Sequence, residues 1–172
     1  MGDTLITVIA IALAAVLMFV FPLMTMSDRT DDVSQLAVET ATTDFVDDVR
    51  TTGKLTQEDY DNFILTIGAT GNAYDVEITL QILDENPKKK TTEGATVIGD
   101  NIYYTMYTSQ VTDQLAASKM ISLKEGDNVT VKVKNKNNTI AVQLRNWAYK
   151  VTGNDSSTIT AEASGIVTKT AN

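Results

Sequence analysis

Chemistry in this chain falls to carboxylates, hydroxyls and a few cations. Asp and Glu number 22 against 14 Lys and Arg, for a formal charge of -8, and there is neither histidine nor cysteine. Those two absences remove thiol nucleophiles, thiolate and imidazole metal ligands, disulfides, and every dyad or triad that runs through histidine. Carboxylate pairs of the glycosidase kind remain open to such a composition, but no pair stands apart from a generally acidic surface. The sequence therefore reads as a non-enzyme with no catalytic residue, cofactor or metal. Glu58, Asp59 and Asp61 form a dense acidic group, yet they lack the glycine and closing glutamate of an EF-hand loop and read as the solvated face of a helix. Most of the surface would repel a phosphate backbone, so nucleic acid is not an expected partner. Lys88, Lys89 and Lys90 are the one basic cluster, read as a solvated loop tip, with contact to the acidic surface of another subunit as the alternative. Triplets beginning at Asn128, Asn137 and Asn154 match the N-glycosylation pattern, in a chain rich enough in Asn and Thr to yield them by chance.

The elements that must position these groups begin with residues 5–26, LITVIAIALAAVLMFVFPLMTM, an uncharged stretch. At about 1.5 Å per residue, some 20 apolar residues cross a hydrocarbon layer of roughly 30 Å. The apolar residues circle the helix instead of forming a stripe, so it needs lipid or copies of itself on all sides. A cleaved secretory signal is not expected: residues 1–4 carry no basic residue, the apolar run exceeds the usual core of about 7–15, and no Ala-x-Ala site follows. Arg29 is the only cation near either end, which leaves the charge rule for orientation little to count; with a short N-terminal tail, the domain is expected on the outer side.

Pro22, in Phe21-Pro22-Leu23, removes an amide donor and is expected to loosen the helix. An apolar helix at the start, proline at Pro22, an amphipathic continuation and a strand-rich remainder together resemble a type IV pilin or pilin-like filament subunit. Phe45-Val46-Asp47-Asp48-Val49-Arg50-Thr51-Thr52-Gly53, followed by Leu55-Thr56-Gln57-Glu58-Asp59-Tyr60, resembles membrane-anchored pilin-like proteins of Gram-positive bacteria. These segments cover about a third of the chain. The resemblance implies a filament core of packed N-terminal helices. Pilins usually carry a glutamate where this chain has Leu5, to answer the N-terminal amine of a neighbour, and Asp3 is the only nearby substitute. Two readings of Met1 stand: the initiator of an uncleaved relative, or a processed N-terminus.

From Thr30 the pattern turns amphipathic, with Val33, Leu36, Ala37, Ala41, Phe45 and Val49 at three- and four-residue spacing, which predicts a stalk running to about Thr51 with its outer half as the spine of the domain. Thr56 followed by acids predicts the N-cap of a short helix that places Tyr60, Phe63, Ile64 and Ile67 on one face and stops at Gly68. Residues 73–83 alternate as a strand; 102–107 suit a second; 109–117 a helix with Val111 and Leu115 inward; 129–133 a strand with Lys132 and Lys134 outward. A polar loop over 84–94, a strand over 139–149 with Trp147, a turn at 153–157 and a closing strand over 158–169 with a bulge at Gly165 complete the expectation.

The fold class expected is α+β: a long N-terminal apolar helix continuing into a stalk (residues 1–52), then a small, mainly antiparallel β-sheet domain with one or two short helices (residues 53–172). The function expected is that of a structural subunit of an extracellular pilus-like filament, with itself and the membrane as partners, at the cell surface and with a cytoplasmic-membrane pool before assembly. Packing is assigned to Asp3, Leu5, Ile9, Ala10, Leu13, Ala14, Val16 and Pro22: small residues let helices approach and larger ones fill the gaps. The alternative from another class is a stationary single-pass anchor at the outer face of a secretion or conjugation apparatus.

Overall fold

The structure is a computed structural model, and it describes residues 2–83, 103–136 and 159–171. The chain runs α1 (Gly2–Thr52), β1 (Lys54–Thr56), α2 (Gln57–Gly68), β2 (Tyr74–Leu83), β3 (Tyr103–Met106), α3 (Thr108–Ser118), β4 (Met120–Ser122), β5 (Asn128–Asn135) and β6 (Thr160–Ile166). That is the expected α+β layout of a long helix and a small antiparallel sheet domain. The expected loop at 84–94 with its three lysines, the strand at 139–149 with Trp147 and the turn at 153–157 lie outside the described residues.

α1 has no glycine between Gly2 and Gly53, and it continues through Pro22. Pro22 withholds the one hydrogen bond that would run to the carbonyl of Met18. The helix stops at Gly53, whose φ of +69° suits glycine and whose amide donates to the Val49 carbonyl at 2.9 Å. A side chain there would also strike the backbone of residues 169–171.

Four antiparallel strands, in the order β3-β2-β5-β6, make the main sheet, and β1 pairs with β4 in a separate ribbon. Strict alternation in β2 and β5 sends Ile78, Leu80, Val129, Val131 and Val133 to one face, all buried, and Asp75, Glu77, Lys132 and Lys134 to the other. The outer half of α1 lies across the apolar face against β5 and β6, and α3 adds Val111 and Leu115 to the same core. α2 joins through Phe63, stacked on Phe45 of α1 with ring centroids 4.5 Å apart.

Three expectations need correction. The buried stripe of α1 is Ser34, Val38, Thr42, Phe45, Val46 and Val49, whereas Val33 and Leu36 are 69% and 65% exposed. Two hydroxyl residues stand inside, and Thr42 meets its own need by donating to the Val38 carbonyl at 2.6 Å. Gly165 forms no bulge: the β5–β6 register runs unbroken from Asn128↔Ile166 to Lys134↔Thr160. Its lack of a side chain instead makes room for the stem of Arg50, which a Cβ would strike. The β1–β4 ribbon was not anticipated, since a three-residue strand shows too little alternation to be seen.

Candidate assembly surface

α1 divides by burial. From Gly2 to Met26 no described side chain is buried, and Val20 is the only one even half covered. Leu5, Ile9 and Leu13 are 65%, 54% and 57% exposed, and Ile6, Val8, Ile11, Phe19 and Phe21 on the other sides of the same helix are as open. This is the helix that is long and apolar enough to cross a membrane.

The assigned positions all lie on that segment. Successive residues turn by about 100°, so Leu5, Ile9 and Leu13 share a stripe within roughly 80° of arc, and Ala10 and Ala14 form a shallower one beside it. Pro22 is exposed further along, and Asp3 stands in the first helical turn, where its negative charge suits the positive end of the helix dipole. The backbone of Val16 is helical, and its side chain lies outside those described. The structure thus brings these residues onto one rod and gives them no partner within the described chain; it does not gather them into a pocket.

Above Met26 the surface changes character. Between α1 and the end of α2 runs a groove lined by Arg29, Thr30, Val33, Ser34, Ala37, Thr66, Ala69 and Thr70. The hydroxyl protons of three of its residues go to helix carbonyls: Thr30 donates to Met26 at 3.0 Å, Thr66 to Asn62 at 2.7 Å and Thr70 to Ile67 at 2.8 Å. The groove therefore presents methyl groups, threonine acceptor oxygens and the Ser34 hydroxyl, with Arg29 as its one cation. Arg29 makes no ion pair among the described residues. Exposed Leu65, at 71%, stands in α2 next to Thr66 of the groove.

The acids that invite a metal reading are occupied separately. Asp59 closes a capping box: its amide donates to Thr56 Oγ1 at 3.1 Å and the Thr56 amide donates to Asp59 Oδ2 at 3.3 Å, which also accepts from Thr56 Oγ1 at 2.6 Å. Asp61 accepts from Gln57 Nε2 at 2.8 Å, and Glu58 is exposed. Among the described residues no group of three or more potential ligands converges. Beside them the Tyr60 phenol titrates above its ordinary 10.0, first through burial and second through the charge of Asp61.

The structural weight of one acid escaped the sequence reading. Asp127 is 1% exposed; its Oδ1 accepts from the Leu83 amide at 2.9 Å and its Oδ2 from the Lys124 amide at 2.8 Å, while its carbonyl accepts from Val167 at 2.7 Å. It ties the end of β2, the β4–β5 turn and the segment after β6. The signal available was Gly126-Asp127-Asn128, where an Asp in a tight turn often bonds nearby backbone amides.

Comparison with known proteins brings no match: no family model, curated protein or solved structure resembles the chain closely enough to be assigned.

Proposed function

We propose that this protein is a structural subunit of an extracellular pilus-like filament, held in the cytoplasmic membrane by the inner half of α1 before assembly and packed through that same half afterwards. The observation that carries the reading is the exposure of α1 on every side from Gly2 to Met26. A helix of that kind is stored in lipid, and its transfer into a bundle of identical helices keeps apolar surface covered in both places. Contacts between copies that repeat without closing propagate as a filament. The domain supports the same arrangement: one sheet face is filled by the protein's own α1, and the other presents charges suited to an outer surface.

The test is electron microscopy of material sheared from the surface of cells that make the protein, with mass spectrometry of the native N-terminus. Thin filaments composed of this chain are the expected outcome. Recovery of the chain only from the membrane fraction would place it instead as a stationary anchor at the outer face of a secretion or conjugation apparatus.

A further inference from the structure

Neither Asp3 nor Arg29 of α1 makes an ion pair among the described residues. Asp3 is the only charged residue before Asp28, and Arg29 is the only cation before Arg50. On the filament reading, the carboxylate of Asp3 leaves water and headgroups for a bundle and is stabilised there by a neighbouring cation, either the N-terminal amine of another copy or a basic side chain. Its own Arg29 is out of reach: 26 residues of helix separate them, about 39 Å along the axis.

Arg29 sits at the rim of the groove between α1 and α2, without an ion pair among the described residues. None of the neighbouring acids, Asp28, Asp31 or Asp32, lines that groove. Exposed Val33, Ala37 and Ala69 give the groove its apolar lining beside the buried Ser34, and Val33 and Leu36 hold an apolar surface open beyond the end of the membrane stretch. Thr30, Thr66 and Thr70 donate their hydroxyl protons to helix carbonyls, which leaves the guanidinium and the Ser34 hydroxyl as the side-chain donors of the lining, fewer than the oxygens of a phosphate would take. A groove with exposed apolar side chains, one cation and one hydroxyl donor fits an apolar helix end that carries one carboxylate. Resting on the filament reading, we infer that the N-terminal turn of a second copy occupies this groove, with its Asp3 paired to Arg29 and the two helices staggered by about 26 residues. The contact is head to tail and therefore repeats along the filament.

The chain has no cysteine, so paired cysteines report a single contact. In one bilayer, copies of like orientation hold Thr4 and Thr30 at opposite faces, and a disulfide between them forms only in the staggered assembly. Full-length Thr4→Cys/Thr30→Cys protein, oxidised in sheared filaments, should run as a ladder of multimers on a non-reducing gel. Thr4→Cys/Thr43→Cys, displaced by about 20 Å, should not. Asp3→Arg and Arg29→Asp should each lower filament yield by roughly tenfold or more, and the double reversal should restore most of it. Filaments without the ladder, or a double reversal no better than the singles, overturn the pairing and leave the filament reading standing; the second result returns Arg29 to a lipid phosphate or to solvent. Absence of filaments from the unaltered protein overturns the filament reading, and the pairing with it.

Discussion

Residues 2–26 and 34–50 belong to one unbroken helix, yet they solve opposite problems. The first segment is apolar all round and buries nothing; the second is rich in Thr and Asp and supplies the domain with Val38, Phe45, Val46 and Val49. Hydrophobicity alone would assign the core to the wrong half. What decides is width: an apolar belt over the full circumference cannot be satisfied by one sheet, whereas a stripe interrupted by self-bonded hydroxyls can be. The outer half is covered by its own chain, and the inner half is left open by the described residues.

That division can be broken experimentally. On the filament reading, Ala14→Lys should abolish filaments, because a cation in a bundle core or membrane centre costs about 2.5–3.5 kcal/mol and every subunit bears it. The same variant, purified in detergent, should melt with an unchanged domain Tm; a fall in Tm would show that the two halves are not separable. Phe45→Ala should do the reverse, destabilising the domain by about 3–5 kcal/mol in denaturant unfolding, since it empties a buried site stacked on Phe63. A loss under 1 kcal/mol would remove the outer half of α1 from the core.

Asp127→Ala isolates the anchoring of the domain's far end. Two backbone amides lose their acceptor, for a destabilisation of about 2–4 kcal/mol. The pH dependence gives the smallest effect. Tyr60 titrates higher in the folded chain than the 10.0 it has when unfolded, so above that pH the unfolded state gives up its proton first. Stability should be intact below pH 10.0 and decline as pH rises past it, and Tyr60→Phe should flatten that decline in a series of unfolding curves. An unchanged slope would assign the alkaline loss to other groups.

Much of this architecture was legible because it rests on long patterns. Residues 5–26 announce a lipid-length helix, β2 alternates over ten positions, and Thr56 with the acids after it marks the start of α2. The burying face of α1 was not legible in the same way. Val33, Leu36 and Ala37 carry the apolar signal, but Ser34 and Thr42 face the sheet, because the helix turns its core stripe to follow Val38, Phe45, Val46 and Val49. A periodicity count scores hydroxyl residues as polar and misses that a helix carbonyl four residues back satisfies Thr42. Gly165 failed for a related reason: its role is set by Arg50, 115 residues earlier, and no local window contains both. The candidate surface divided likewise. Its apolar rod could be read directly, while the groove at Arg29 needs α2 folded back beside α1.

The close of α1 also sets a clock. The Arg50 carbonyl accepts from the Thr168 amide at 3.0 Å, and Arg50 Nε donates to the Ile166 carbonyl at 3.0 Å. Those partners leave the ribosome 118 and 116 residues after Arg50, which at about 5–20 residues per second is roughly 6–24 s later. On the filament reading, the inner half of the helix has lipid available during that interval while the outer half has no sheet to lie on. On that reading insertion precedes folding by the order of synthesis alone, and the domain completes itself only when β6 arrives to grip a helix that has waited for it.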